Sequence, residues 1–453
     1  MSETSIRDLG DGLILRRATK ADAETLATFN ARVHSDQGWD SPDEPLQAWV
    51  KDLMEKPHPT FDGGGFLIVE DVATGQIVSS SNLIPQTWSY AGIEFGVGRP
   101  ELVGTDPDYR RRGLVRAQFE VLHAWSAKRG HKVQAITGIP WYYRQFGYEM
   151  ALDLYGTRSG GLSDIPKLKE GDTEPYTVRS ALPEDLDFVA QTEALGQQRH
   201  LIRCVRDDAL WHYELEGRSG DNAQVQALRV IEGFGGEPVG YLAHPMKRWG
   251  SRLYLKRYEL KKAVSWWAVT PSVLRYLKQV GADYEPYAPS EESQPFEGIA
   301  LGLGREHPAY RIVQAWLPKV GDPYAWYLRV ADLPDFLMTI APALEARLAG
   351  SALVGHSGTL KLDFYRDGIK VVLEGGRIVD VVPWPLNKES DHDRRSSGAY
   401  VRFPDLTFLQ VLFGYRSLDE LIHAHADCGG NLEGRLLVGA LFRKQPSDVW
   451  PVS

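Results

Sequence analysis

Three arginines and a glycine, Arg110-Arg111-Arg112-Gly113, stand between a short extended run (Leu102-Val103-Gly104) and a segment of helical period. That turn is suited to holding an anion. The first turn of a helix leaves backbone N–H groups unpaired and presents the positive end of the helix dipole. Gly113 has no Cβ, so a phosphate can come close to that backbone. The arginines can add forked, charge-assisted hydrogen bonds to phosphate oxygens. A second candidate follows in Tyr143-Arg144-Gln145-Phe146-Gly147-Tyr148. There Tyr143 offers a phenol able to hand a proton to a departing group.

These residues need elements to position them. Leu114, Val115, Gln118, Phe119, Val121, Leu122 and Trp125 recur at three- and four-residue spacing, which predicts a helix stopped by Lys128-Arg129-Gly130. A strand over residues 133–137 and a short helix carrying Tyr143 come next. Upstream, the pattern predicts a strand over 13–17, helices over 20–33 and 37–54, and a hairpin of 66–70 with 76–79 around Ala73-Thr74-Gly75. Residues 160–175 read as a linker. The chain then begins again: Arg16-x-Ala18-x-x-x-Asp22 returns as Arg179-x-Ala181-x-x-x-Asp185. Ile68-Val69-Glu70 returns as Val230-Ile231-Glu232, and Tyr143-Arg144 as Tyr310-Arg311, all at offsets of 162 to 167. Ordered matches of this kind predict a duplicated domain. Where the arginine turn should recur, the second copy has Leu274-Arg275-Tyr276-Leu277, with no glycine to admit a phosphate. A third region opens with a helix capped by Asp332, and three strands follow, punctuated by Asp367-Gly368 and Gly375-Gly376. It continues with a helix over 404–413 and another opened by the capping box of Ser417 and Glu420.

The arginine turn and the tyrosine segment together resemble the acetyl-coenzyme A signature of the GNAT superfamily of N-acetyltransferases. Its pattern is Arg/Gln-x-x-Gly-x-Gly/Ala, here Arg110-x-x-Gly113-x-Val115, so a valine replaces the last small residue. That departure is usual in the enhanced-intracellular-survival branch, which the chain resembles along its whole length. The resemblance implies an α/β (α+β) fold: a GNAT domain over 1–160, a degenerate GNAT-like domain over 175–315, and a sterol-carrier-type α+β domain over 316–453. It implies acetyl-coenzyme A as donor, held by backbone N–H groups of Val103, Gly104 and Thr105. Arg110, Arg111, Arg112, Gly113, Leu114, Val115 and Arg116 would surround the pyrophosphate, with Gly138 and Ile139 bordering the far end of the cofactor. Tyr143 would be the general acid, since a phenol titrating near about 10 suits a thiolate whose conjugate acid titrates near about 8.5. A terminal carboxylate at Ser453 would be the base. The implied acceptor is a primary amine on a small molecule (an aminoglycoside or polyamine) or on a lysine side chain, attacked directly in a ternary complex. A homo-oligomer, possibly a hexamer, is also implied. The other readings are a protein-lysine acetyltransferase and a non-catalytic acyl-coenzyme A or lipid-binding protein.

Composition fits these expectations. The chain has 453 residues, 43% hydrophobic and 25% charged, enough for two to four domains. A formal charge of −9 disfavours wholesale binding to nucleic acid or anionic membrane. Two distant cysteines, Cys204 and Cys428, read as free thiols. No run of about 18 apolar residues occurs and the first residues lack a signal-peptide core, so a cytoplasmic protein without a membrane span is expected. His423, His425 and Cys428 read as incidental rather than a metal site. Asp391-His392-Asp393-Arg394-Arg395, with neighbouring Lys388, Glu389, Ser396 and Ser397, reads as a solvated loop. Asp36, Trp39, Asp40 and Glu44 are candidates to meet an amine cation.

Overall fold

The computed structural model describes residues 5–287, 294–386 and 398–453; the expected loop at 388–397 lies outside the described residues. In chain order the first elements are β1 (Ser5–Gly10), β2 (Leu13–Arg17), α1 (Ala23–Val33), α2 (Glu44–Glu55), β3 (Phe66–Asp71), β4 (Gln76–Tyr90), β5 (Ile93–Thr105), α3 (Leu114–Lys128), β6 (Val133–Ile136) and β7 (Glu149–Leu154). Strand alternation sends Ile68 and Ile84 toward α1 and α2, while Leu67, Val69 and Val78 face α3. The sheet is therefore covered on both faces. The helix predicted over 37–54 begins only at Glu44, because Asp43 caps it and Pro45 occupies its first turn. β4 and β5 run much further than their sequence signals, joined by a tight turn at Ala91 and Gly92, both with positive φ.

The next elements are β8 (Thr157–Gly161), β9 (Thr177–Ser180), α4 (Leu186–Gln197), β10 (Ile202–Cys204), α5 (Asp208–His212), β11 (Gln226–Glu232), β12 (Pro238–Pro245), β13 (Arg252–Leu255), β14 (Arg257–Leu260), α6 (Trp266–Asp283), β15 (Gly298–Leu301), α7 (Ala309–Ile312) and β16 (Lys319–Gly321). Then come β17 (Tyr324–Val330), α8 (Leu333–Ala349), β18 (Gly358–Asp363), β19 (Gly368–Glu374), β20 (Arg377–Pro383), β21 (Ala399–Arg402) and β22 (Gly429–Gly430), with helices at Phe408–Leu412, Leu418–Ala424 and Leu432–Leu441. The last of these helices is absent from the sequence reading.

Strand pairing crosses the expected boundaries. β17 lies between β6 and β7 in the first sheet, whose order is β1-β2-β3-β4-β5-β6-β17-β7, and β10 pairs with β4. Gly160 and Gly161, read as the start of a linker, are paired in β8, which joins β13, β15 and β16 in another sheet. β14-β12-β11-β9 form a third sheet and β20-β19-β18-β21-β22 a fourth. One continuous core runs from Trp88, Tyr90 and Phe95 of the first sheet, through Phe336, Leu337 and Ile340 of α8, to Leu360, Leu362 and Val371 of the last sheet. Each large side chain buried there contributes roughly 1.5–3 kcal/mol.

The repeated sequence signature corresponds to repeated geometry. Arg16 bridges Asp22 and Glu70, each at 2.6 Å, and Arg179 bridges Asp185 and Glu232, each at 2.6 Å. In both places the aspartate also accepts the backbone N–H of the residue three before it, Thr19 or Leu182. Burial opposes the charge on Asp22, but Arg16 and Thr19 outweigh it and hold its pKa below the usual carboxylate value. Arg179 does the same for Asp185. A folded-state pKa below the unfolded one stabilises the protein above about pH 4, and that contribution is lost as pH falls through the folded value. Asp22→Asn and Asp185→Asn should therefore each lower the Tm at pH 7. Melting curves taken down to pH 3 should show the deficit shrinking.

Candidate functional site

β5 pairs with β4 along most of its length, but pairs in parallel with β6 only at Val97↔Val133 and Gly98↔Gln134. Beyond Gly98 the two strands part, so residues 99–105 have a free edge facing the start of α3. A register shift opposite Ser80–Asn82 and a positive φ at Leu102 mark a bulge there. Gly104 is required for packing: a Cβ would lie 2.5 Å from Val33 of α1. Val103, Gly104 and Thr105 thus line the parting of the strands.

The arginine turn sits at the head of α3. Gly113 has φ 77°, which favours glycine, and a Cβ added there would meet open space. No side chain caps the helix, so its first N–H groups remain available. Arg110, Arg111, Arg112 and Arg116 are exposed, while Leu114 is buried against the sheet and Val115 half-buried. Tyr109 supports the turn by donating to Asp71 at 2.6 Å, and Arg112 lies 4.8 Å over the Tyr109 ring. Arg116 donates to Gln145 at 2.9 Å, linking the turn to the segment that carries Tyr143. Free helix-start N–H groups and exposed guanidinium groups are of the kind that can bind phosphate oxygens.

The corresponding joint of the second unit is different, and the sequence comparison misplaced it. Leu274–Leu277 lie in the middle of α6. The segment between β14 and α6 is Lys261-Lys262-Ala263-Val264-Ser265, and Ser265 caps α6 by accepting from Ala268. A capped helix start without glycine offers little to a phosphate.

Tyr143 is buried, 5% exposed, against Phe119, Tyr148 and Tyr327. Its ring and hydroxyl lie against Gly138. Burial, with the nearby Glu101 charge, pushes its pKa well above the ordinary phenol value, so it stays protonated. Two further phenols converge on the same loop. Tyr324 donates to the carbonyl of Gly138, and Tyr327 accepts the N–H of Trp141 at 2.8 Å. Both come from β17, and no sequence signal tied that strand to the site. Ile139 is 62% exposed at the mouth of the loop.

Ser453 is also brought to this sheet. It is 3% exposed, and Val452 is fully buried. The Val452 carbonyl accepts from Gln86 of β4 at 2.8 Å and from Arg99 of β5 at 3.0 Å. Arg99 also donates to the Ser453 hydroxyl and pairs with Glu101. The Ser453 main-chain oxygen accepts two bonds from Arg218, at 2.7 and 3.1 Å. Arg218 is held by Glu214, which also meets Arg206, and Arg206 donates to the Pro451 carbonyl. Beside Ser453, burial and Arg218 push the His58 pKa down to about 4. Neutral His58 accepts two backbone N–H groups at Nδ1, which places its proton on Nε2.

Cys204 lies closer to this cluster than the sequence suggested, with its thiol 3.7 Å from Gln86. Burial raises its pKa, and burial raises that of Cys428 to about 11. Neither is a ready nucleophile at neutral pH. Both thiols should react with Ellman's reagent only after denaturation; prompt release of colour from the native chain would contradict this.

The other candidates are dispersed. Trp39 packs edge-on against Phe29 with Arg32 5.9 Å over its ring, and Asp43 accepts from Tyr287 at 3.1 Å. No metal-binding cluster occurs among the described residues, His423, His425 and Cys428 included. No helix among them is long and apolar enough to cross a membrane. Cavities of about 290 and 400 Å³ lie elsewhere, around Arg305.

Residues 15–151 match the family model of the acetyltransferase (GNAT) domain, and the chain carries such an N-acetyltransferase domain. No curated protein sequence matches the chain. Among solved structures, a conserved protein of unknown function from Enterococcus faecalis V583 aligns with TM-score 0.66 at 14% identity, over 97% of this chain and 99% of that one. A GCN5-related N-acetyltransferase from Kribbella flavida aligns with TM-score 0.59 at 16% identity, over 96% and 97%. Eis1 from Mycobacterium abscessus aligns with TM-score 0.55 at 15% identity, over 96% and 98%. At such identities the likeness is one of fold.

Proposed function

We propose that the chain moves an acetyl group from acetyl-coenzyme A to a primary amine by direct attack in a ternary complex. The observation that carries this reading is the conjunction of the uncapped α3 start at Gly113 with the parted edge of β5 and the buried phenol of Tyr143. The free N–H groups of α3 and the exposed arginines would hold the pyrophosphate, with Gly138 and Ile139 beyond it. Val103, Gly104 and Thr105 would hold the pantetheine and thioester along β5. The acceptor must lose a proton before its nitrogen can attack the carbonyl carbon. In this reading a carboxylate at Ser453 takes that proton, steadied by Arg218, Arg99 and Gln86. As the carbon–sulfur bond breaks, Tyr143 donates its proton to the sulfur.

The pairing of Arg16 with Asp22 and Glu70, repeated by Arg179 with Asp185 and Glu232, supports reading the second unit as a degenerate copy of the first. The fourth sheet, α8 and the closing helices are read as a sterol-carrier-type unit whose work is to deliver the tail.

The test is release of free thiol from acetyl-coenzyme A with aminoglycosides, polyamines and lysine peptides as acceptors. Turnover with at least one acceptor is expected. Gly113→Val should raise the KM for acetyl-coenzyme A at least tenfold, because it strains a left-handed residue and crowds the phosphate. Cofactor binding without turnover on any acceptor would favour a binding protein instead.

A further inference from the structure

The two cavities around Arg305 share Arg305 and Glu306 in their walls, and none of their lining residues belongs to the arginine turn. One cavity holds Arg158 and Arg311, the other Arg416 and Lys444. Among the described residues, neither Arg158 nor Arg311 has an ion-pair or side-chain hydrogen-bond partner. Arg305 reaches Asp153 only at 3.7 Å and Asp322 only at 3.8 Å, and Arg416 reaches Glu420 only at 3.9 Å. Those separations are too long for direct hydrogen bonds. Lys444 alone is closely paired, to Glu420 at 2.6 Å. The carboxylates lining the cleft, Asp153, Glu306 and Asp322, are fewer than its cations. This is unusual ground in a chain of net charge −9.

A buried group points the same way. His200 lines the larger cavity, is 8% exposed, and its Nδ1 has no hydrogen-bond partner. An unpaired polar atom at that depth is one that a water or a ligand group can satisfy. The volumes, about 290 and 400 Å³, are of the size that small molecules occupy. Guanidinium groups spread along a cleft match separate oxyanions of one elongated ligand.

We propose that this cleft binds a small polyanion carrying two or more phosphate groups, through Arg158, Arg305, Arg311, Arg416 and Lys444. The inference is independent of the acetyl-transfer reading. The occupant would also touch the tail, since Lys444, Gln445, Pro446 and Ser447 form one wall. That stretch is pinned by Leu201 N–H to the Pro446 carbonyl at 2.8 Å and by Gln445 N–H to Gly414 at 3.1 Å, and it continues to Ser453. A ligand here braces the segment that ends under the first sheet.

The probe is inorganic tripolyphosphate, titrated calorimetrically into the full chain in low-salt buffer, with thermal melts alongside. The wild-type chain should bind and melt at a higher temperature with the probe. Because the arginine turn can also meet the probe, Arg111→Ala/Arg112→Ala should lose at most that second site and keep the cleft's affinity and thermal shift, which separates the two. Arg311→Glu/Arg416→Glu should lose at least tenfold in affinity and the thermal shift. Arg158→Ala/Arg311→Ala, a milder change, should weaken binding in the same direction if the charge reversal fails to fold. Absence of binding by the wild type, wild-type affinity in the cleft variants, or equal losses at the cleft and the arginine turn would each overturn the proposal.

Discussion

Replacing Tyr143 by phenylalanine is expected to lower kcat by about 10²- to 10⁴-fold, the range that general acids supply. The KM for acetyl-coenzyme A should change little. Only a hydroxyl is removed, and the ring keeps its packing on Phe119, Tyr148 and Tyr327. The fold should therefore survive, and the melting temperature of the variant should stay close to that of the wild type. Because burial holds the Tyr143 proton above the ordinary phenol range, the wild-type rate should not decline through its loss below about pH 10. Initial rates from pH 6 to 10 for both proteins would check both statements. Full activity in the variant would remove Tyr143 from the chemistry.

Glu214→Gln should be the most destabilising single change near the site. Glu214 lies between Arg206 and Arg218, and all three side chains are 2–3% exposed. Burial opposes its charge, but Arg218 and Arg206 outweigh that and hold its pKa below the usual value. Neutralising it leaves two buried guanidinium groups without their shared ion-pair partner, Arg206 keeping the Pro451 carbonyl and Arg218 the Ser453 oxygen. Removing one partner of such a buried group costs about 3–5 kcal/mol, readable by urea unfolding. Arg218 would also lose the anchor that aims it at Ser453, so acetyl transfer should fall with stability. The depressed pKa means the stabilisation is present at neutral pH and is lost in acid, so the gap between wild type and variant should narrow there.

Local chemistry was legible in the sequence wherever a signal and its effect lie close together. The α3 helix, the Asp332 cap and the Ser417–Glu420 capping box all stand where their residues place them. Arg16 and Asp22 were visible as a motif because they are six residues apart and repeat. The arginine-glycine turn at the head of α3 was legible for the same reason. What failed depends on partners distant in sequence. A constant offset carries the arginine turn into the middle of α6, whereas the strand-to-helix joint preceding that helix is at 261–265. β4 and β5 run past Pro85, Gly96, Gly98 and Pro100, residues that disfavour strands, because pairing along two long strands overrides propensity. Tyr324 and Tyr327 could not be tied to the Tyr143 loop, since nothing in a strand's own residues names the strands it will join.

The placement of β17 bears on how the protein is made. A ribosome emits residues 1–154 well before it reaches 324–330, so β6 and β7 leave the exit tunnel with the slot between them empty. Both exposed strand edges must wait for a partner synthesised much later. An open edge in a nascent chain invites pairing with other chains, and the long-range closure slows productive folding. Expression of the first segment alone should therefore give an aggregating fragment, whereas the complete chain, or the fragment co-expressed with 155–453, can close the sheet. The first sheet is completed only when residues far along the chain have been made.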